Sequence, residues 1–513
     1  MFGHRDAIRA MDSAPFGSPD GTHLTPRHTV ALFESDIQSL VGSPRSCVVM
    51  GRRGSGKTAF VRRVLERLAS DRSGVLPYAD PTLAPSIDDL LAIELRVPAA
   101  ARVDRWADTW HAAILRSLYT HLLYDRSLAL LHDGERMLLR DSWDILLEES
   151  GESTVPVSVC AELSSIARRE GDNHQYLRHG PWNELQAAMA ELVAARSPVM
   201  IVLDYDAVTL PSAPGEWMRC QWGLIKAIDR LSRGALGTWL FIVATMREEH
   251  VVTLQSHGYD ARLRDLLLTL ETDRDDMLRF SSDLVRLVAD RYSDQPGGAA
   301  EAAALLSGSQ VRNEHRAVVE DCVEYILRHT RYVPRDFVRM ANGLAARATK
   351  TGPFGPNHSP AVTAVVRGEA RSIGLEQFAS CAGCLTAMLA PEDILAIQLQ
   401  HKVPGLTVDE GLRQAVRDID FDRLDAAHLD RWRVDHIGEF AESLPDALWR
   451  AGLLGVDDAT LEDGHARFFS LMNSEPALPT GSTYVFHPTL IDALGLRHGG
   501  PNDLPTTPVI EAP

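Results

Sequence analysis

The run Gly51-Arg52-Arg53-Gly54-Ser55-Gly56-Lys57-Thr58 gathers glycines, a lysine and hydroxyls into one short stretch. It fits G-x-x-x-x-G-K-[ST] at every fixed position. Gly51, Gly54 and Gly56 let the backbone curl so that successive N–H groups face an anion. A helix starting near Lys57 adds the positive end of its dipole. The chemistry implied is capture of a nucleoside triphosphate. Lys57 reaches the β- and γ-phosphates, and the Thr58 hydroxyl ligates Mg²⁺, which keeps waters of its own. Arg52, Arg53, Ser55 and Ala59 complete the candidate phosphate-binding stretch. Arg52 and Arg53 occupy the variable part of the loop, and solvent, a partner subunit and the nucleotide all stay open as their targets. Lysine occurs otherwise only at Lys226, Lys350 and Lys402, in a chain whose basic residues are almost all arginine. The competing reading is a chance match in a glycine-rich turn. The context opposes it: the apolar run Cys47–Met50 reads as a buried strand, and TAFVRRVLERLAS as a helix.

Further candidates lie at the ends of two later apolar runs. VMIVL (199–203) ends in Asp204, which at the C-terminal end of a strand would hold Mg²⁺ through a water. The competing reading is a strand-end aspartate capping a turn. Many ATPases place a glutamate directly after this aspartate to orient the attacking water. Here that residue is Tyr205, and the next acid is Asp206. Asp206 is therefore the catalytic candidate, or else hydrolysis is slow. The strand WLFIVA (239–244) is followed by Thr245, Met246 and Arg247. On a strand beside the loop strand, Thr245 or Arg247 could hydrogen-bond the γ-phosphate or the attacking water. An ordinary strand end is the alternative. Much later, Tyr332-Val333-Pro334-Arg335-Asp336 opens a helix, with Pro334 in its first turn. Arg335 could point back at the γ-phosphate and tie the helix to nucleotide state. A solvated arginine paired with Asp336 or Glu324 is the plainer reading.

These residues need a scaffold. Strands alternating with helices imply a mostly parallel sheet covered on both faces, an α/β P-loop NTPase domain. The strands expected are 47–50, Leu91–Val97, Val199–Leu203 and Trp239–Ala244. Residues 1–27 read as an N-terminal extension, with a helical stretch over Thr29–Leu40 just beyond it. Residues 28–272 read as the ATPase core, with a helical insertion at about 100–190. A helical lid follows over 273–350, in which DDMLRFSSDLVRLVADRY and EHRAVVEDCVEYILRHT read as helices with a Gly/Ala loop near 297–308 between them. TGPFGPNHSP (351–360) reads as a linker. Residues 361–496 read as a mainly helical, winged-helix-like C-terminal domain that includes the helix LPDALWRAGLLGV and two short strands. Residues 497–513 form a Pro-rich tail expected to be disordered.

The bulk numbers narrow the class. At 513 residues the chain is too long for one core. A formal net charge of -18 argues against a surface coated for nucleic acid, while leaving room for one basic face. Scattered cysteines at 47, 160, 220, 322, 381 and 384 point to a reducing cytoplasm rather than a disulfide framework. The N-terminus lacks a signal-like apolar stretch, and no run approaches the ~20 apolar residues of a membrane span. Cys381-x-x-Cys384 lacks the further ligands of a tetrahedral zinc. Trp106 and Trp110 read as core, and His487-Pro488 as a turn.

GRRGSGKTAF, VMIVLDYD, WLFIVATMR, YVPRDFVRMAN and ALWRAGLLGV…YVFHPTLIDALGL together resemble the AAA+ and STAND-like bacterial P-loop ATPases, including the group found with antiphage and other conflict genes. The chain is more distantly similar to origin-recognition initiators. The resemblance spans roughly residues 28–496. It implies ATP with Mg²⁺ as ligands, Thr245 as a sensor-1-like residue and Arg335 as a sensor-2-like residue. It also implies a winged helix around 440–496. The function expected is a cytoplasmic, nucleotide-switched regulatory ATPase that signals to a protein partner or effector, as in antiviral defence, and that can form a homo-oligomer. The alternative is a DNA-associated ATPase that binds duplex through the winged helix. That alternative is weakened by the few basic residues of the segment (Arg450, Arg467, Arg497). A small-molecule kinase fits less well with so much helical chain.

Overall fold

The structure is a computed structural model. The structure describes residues 14–17, 32–70, 74–80, 93, 97–98, 101–124, 157–168, 186–187, 189–191, 197–205, 214–248, 250–251, 261–294, 297–313, 318–388, 408–430, 443–457, 466–469, 477–481 and 483–498. Two compact units emerge. One comprises Phe33–Gly51 and Lys57–Leu270; the other comprises Met1–Leu32, Arg52–Gly56 and Glu271–Pro513.

The first unit begins with helix α1 (Glu34–Gly42) and strand β1 (Cys47–Gly51). Then come α2 (Lys57–Ser70), β2 (Leu76–Ala79), α3 (Arg102–Tyr124), α4 (Val159–Arg168) and β3 (Val199–Leu203). It closes with α5 (Pro214–Arg233), β4 (Leu240–Arg247), a 3-10 turn (Ala261–Leu266) and β5 (Leu267–Thr269). The strands form one parallel sheet in the order β2-β3-β4-β1-β5. Every residue of β1 and β3 is buried, as strands covered on both faces require. Phe60, Val61, Val64 and Leu68 recur at helical spacing and are the buried stripe of α2. Trp106 and Trp110 are buried on α3, their indole N–H groups donating to Glu216 Oε1 (2.7 Å) and to the Cys220 carbonyl (2.9 Å) on α5. Burying an indole N–H with its partner avoids the cost of an orphaned donor.

In the second unit, α6 (Arg274–Arg291) starts with a capping box between Asp273 and Asp276. It is followed by α7 (Gly298–Leu306), an antiparallel hairpin of β6 (Gln310–Asn313) and β7 (Val318–Asp321), and α8 (Cys322–Leu327). Helices α9 (Pro334–Thr351) and α10 (Ser359–Met388) come next. Their core includes Met277, Phe280, Leu284, Phe337, Met340, Leu344, Val362 and Val366, and Phe16 of the N-terminal region joins it. The Asn342 amide holds the backbone beside Phe16, accepting from Phe16 N–H (3.0 Å) and donating to the Gly17 carbonyl (2.9 Å). Then come α11 (Val408–Arg417), β8 (Arg423–Asp425), α12 (Ser443–Arg450), β9 (Leu454–Asp457), β10 (Ala466–Arg467), β11 (Thr483–Phe486) and α13 (Pro488–Leu494). The four strands form an antiparallel sheet in the order β10-β9-β11-β8. Among the described residues, no helix is long and apolar enough to cross a membrane.

Several elements differ from the sequence expectation. Leu76–Ala79 is a strand of the parallel sheet that was not expected. Of the expected strand Leu91–Val97 only Ile93 and Val97 are described, Ile93 helical and Val97 N–H bonded to the Ile93 carbonyl (3.0 Å), and the rest lies outside the described residues. Residues 297–308, expected as a Gly/Ala loop, contain α7, and EHRAVVEDCVEYILRHT, expected as helix, carries β7 of the β6–β7 hairpin before α8. Thr29–Leu40, expected as one helix, is helical only from Glu34 within the described residues. LPDALWRAGLLGV is a helix only to Arg450; after Gly452, in the left-handed region at φ 66°, the chain becomes β9. The C-terminal sheet also has strands beyond the two expected.

Candidate nucleotide-binding site

The loop after β1 folds as strand, turn and helix. Gly54 and Gly56 have φ of 90° and 99°, values that a side chain resists. Ser55 N–H closes a turn on the Arg52 carbonyl (3.1 Å). Lys57 opens α2 with its side chain buried, and its ammonium donates to the Gly51 carbonyl at 2.8 Å. Thr58 and Ala59 follow in the first turn, half-buried. Ser55 is buried, and its hydroxyl oxygen has no hydrogen-bond partner among the described residues. A buried hydroxyl without a protein partner, in a loop of left-handed glycines opening a helix, fits an anion-binding cradle.

The aspartate and the polar strand end come together. Asp204 follows β3, and β4 lies between β3 and β1. Thr245 pairs in register with Val49 of β1, and its hydroxyl donates to Asp204 Oδ1 at 2.7 Å. Arg247, also buried, ends β4 in register with Gly51. Observed β4 is longer than the run 239–244 suggested, so both polar residues belong to the strand. Asp206 lies outside the described residues.

Tyr205, at the position where a water-orienting glutamate is expected, is turned into the core. Tyr205 is buried, stacks on Trp110 (5.6 Å between ring centres) and donates its hydroxyl to Asp80. Asp80 also accepts from Tyr78 Oη (3.1 Å) and Val159 N–H (2.9 Å). Burial pushes the Asp80 carboxyl above the ordinary range, against the pull of these donors. The Tyr205 hydroxyl is raised well above its ordinary value, first by burial and then by the Asp80 carboxylate. This latch joins the ends of β2 and β3, and nothing in local spacing announced it.

In the second unit, Arg335 meets the loop segment directly. Its N–H donates to the Gly54 carbonyl at 3.2 Å. A Cβ built on Gly54 would lie 2.6 Å from Arg335 Cβ and 2.8 Å from its Nε. The guanidinium pairs with Asp336 Oδ1 (3.3 Å) and Glu376 Oε2 (3.7 Å). Asp336 is fully buried, which raises its carboxyl above the ordinary range despite three arginines around it. Glu324, the other partner considered for Arg335, binds Arg274 instead. Before α9, Arg331 and Tyr332 both adopt left-handed backbone (φ 49° and 57°), at a cost of about 1–3 kcal/mol each. Thr272 Oγ1 donates to the Tyr332 carbonyl, and Arg331 to the Ala451 carbonyl.

The two loop arginines have protein partners. Arg52 donates to the Phe469 carbonyl, and Arg53 pairs with Glu376 at 3.2 Å. Glu376 was not legible as a site residue in the sequence. Burial alone would raise its carboxyl, but Arg339, Arg53 and Arg335 bring it below the ordinary range.

No family model matches the chain, and no curated protein matches it. Among solved structures, it is similar to the crystal structure of Cdc6p from Pyrobaculum aerophilum, at 12% identity and a TM-score of 0.28, covering 91% of this chain and 93% of that one. On its own topology, the chain has an α/β P-loop domain with a parallel sheet, followed by a mainly helical C-terminal region.

Proposed function

We propose that the chain binds Mg-ATP on Gly51–Thr58 and works as a nucleotide-switched regulatory ATPase of the AAA+/STAND-like kind. The observation that carries this reading is the loop itself. Its two left-handed glycines, buried Lys57 and unpartnered Ser55 hydroxyl sit between a buried central strand and an amphipathic helix. In this reading Gly51, Arg52, Arg53, Gly54, Ser55, Gly56, Lys57, Thr58 and Ala59 form the phosphate cradle. Lys57 neutralises phosphate charge, while Thr58 and Asp204 hold Mg²⁺, which supplies charge neutralisation at the terminal phosphates. Thr245 fixes Asp204 through its hydroxyl bond and serves as the sensor on β4. Arg335, lying on Gly54, reads the phosphate end bound by the loop. Asp206 is the proposed water-positioning acid, a role Tyr205 cannot take while its hydroxyl is bonded to Asp80 in the core.

The C-terminal region is read as winged-helix-like: α11, α12 and α13 accompany the antiparallel sheet. We take its role to be contact with a protein partner or effector, in a cytoplasmic setting and in the context of antiviral defence, with homo-oligomers as a further state. The competing role is duplex DNA binding through this region. Calorimetric titration with Mg-ATP, with and without EDTA, tests the ligand. Binding that is strong and Mg²⁺-dependent in the wild type but Mg²⁺-independent in Asp204→Asn is expected. Absence of binding by the wild type refutes the reading. Duplex affinity measured against salt, with and without ATP, separates the two roles: a steep salt slope that responds to ATP supports the DNA reading.

A further inference from the structure

Glu376 stands on α10, far in sequence from the phosphate loop, yet one of its oxygens faces the loop. Oε1 accepts from Arg339 Nη1 at 2.9 Å. Oε2 faces Arg53 Nη1 at 3.2 Å and Arg335 Nη2 at 3.7 Å. The two oxygens therefore differ. Oε1 is anchored between α9 and α10 by an arginine that also pairs with Glu369 (3.4 Å). Oε2 meets a residue of the loop and the arginine that lies on Gly54.

The distances rank these contacts. Charge-assisted N–H···O bonds are strongest at about 2.7–2.9 Å. Arg339 reaches that range, whereas Arg335 holds both its carboxylates, Asp336 and Glu376, at longer separations (3.3 and 3.7 Å). The guanidinium of Arg335 is thus loosely held beside an anion-binding loop. A phosphate oxygen on that loop is a stronger acceptor, and Glu376 can release Oε2 at modest cost. Its side chain is 32% exposed, so water can solvate the oxygen, while Arg339 keeps the carboxylate in place.

We infer that Glu376 is a positioning residue of the nucleotide site. It holds Arg53 and Arg335 beside the loop and competes with the terminal phosphate for them, setting the preference for triphosphate over diphosphate. The inference rests on the nucleotide reading above. It also gives α10 a stake in the exchange, because that helix is locked to α13. A Cβ on Gly374 would lie 2.2 Å from the Thr489 carbonyl oxygen, so only glycine allows the approach. The next turn carries Gln377, which donates to Asp336 Oδ2 and accepts from the Thr489 hydroxyl, both at 3.4 Å.

The test uses the full chain and two probes, Mg-ADP and Mg with a non-hydrolysable ATP analogue, titrated by calorimetry. In Glu376→Gln the ratio of diphosphate to triphosphate Kd rises about fivefold, the scale of one partly exposed ion-pair competitor. The gain comes from tighter triphosphate binding. Glu369→Gln, which alters the pairing of Arg339 alone, leaves the ratio within about twofold. A ratio that stays constant or falls in Glu376→Gln overturns the inference, as does equal weakening of both nucleotides, the mark of a merely structural carboxylate. If Glu376→Gln does not fold, Glu376→Asp withdraws the charge by one methylene and is read the same way: a rise supports the role, and no rise overturns it. A wild type that binds neither nucleotide removes the nucleotide reading and this inference with it. A wild type that binds, with an unchanged ratio in the variants, removes only the role of Glu376.

Discussion

Replacing Gly54 with alanine puts the loop and the arginine beside it into direct conflict. The residue has φ 90°, where a Cβ costs about 1–2 kcal/mol. The added methyl would also stand 2.6 Å from Arg335 Cβ, 2.8 Å from Nε and 3.0 Å from Cδ. Nε and Cδ belong to a flexible side chain and can move. Cβ is fixed to the backbone of α9, whose N–H at Arg335 is bonded to Gly54 itself. Overpacking of this kind costs about 1–3 kcal/mol. The sum, about 2–5 kcal/mol, must be relieved by displacing the loop or the start of α9. If the loop moves, its N–H groups no longer converge, and affinity for Mg-ATP falls by at least about 30-fold. Calorimetry on Gly54→Ala reads this directly. The fixed atom makes a sharper prediction for second-site changes. Arg335→Ala keeps Cβ and does not restore affinity to Gly54→Ala, whereas Arg335→Gly restores part of it. Wild-type affinity in Gly54→Ala refutes the reasoning, and rescue by Arg335→Ala refutes the assignment of the clash to Cβ.

Tyr205→Glu places a carboxylate where a water-orienting acid is expected by position, but into the core beside Trp110 and Asp80. We predict no gain in ATP turnover and a chemical-denaturation midpoint lowered by the equivalent of about 3 kcal/mol or more, since two carboxylates then share one buried site. A faster enzyme contradicts the placement of this side chain. The buried imidazoles are predicted to draw stability from the fold as pH drops from 7 to 5, against the raised carboxyls of Asp80 and Asp336, which act with the opposite sign. Burial, followed by the charge of Arg230, pushes the His111 imidazole down to about 4 in the folded chain, against an opposing pull from Asp108. The unfolded chain binds its proton near the ordinary value, so it takes up more protons between about 6.5 and 4, and stability is lost as pH falls through that window. His329 and His487, both lowered chiefly by burial, act with the same sign. His111→Gln flattens the decline by about 1–2 kcal/mol over this range, measured by denaturant melts at each pH; an identical pH slope in the variant contradicts the account.

What could be read from the sequence was local. Strand, loop and helix around Gly51–Thr58 follow one another within a few residues, and Pro334 marks the start of α9 because proline suits the first helical turn. Asp204 and Thr245 were legible as strand ends, and the register of β3 on β4 brings them together. The failures arose where tertiary context outweighed pattern. Leu76–Ala79 contains Pro77 and only four residues, so it gives little strand signal, yet it finds a place at the sheet edge beside β3. Within LAIELRV, which carries more apolar character, the described Ile93 is helical. The hairpin at 310–321 has its exposed valines, Val318 and Val319, in a stretch whose spacing also suits a helix. Glu376 and Asp80 were invisible because their partners lie on other elements: Arg53 and Arg335 for the first, Tyr205 and Val159 for the second.

The central claim is that this loop binds a nucleoside triphosphate, and Lys57 tests it most directly. Its ammonium is buried at the loop, bonded to the Gly51 carbonyl at 2.8 Å, and is the cation assigned to the phosphates. In Lys57→Ala, calorimetric affinity for Mg-ATP is predicted to fall at least about 30-fold, the loss of one buried charge-assisted contact of about 2 kcal/mol or more, with the melting profile retained. An affinity equal to that of the wild type contradicts the account.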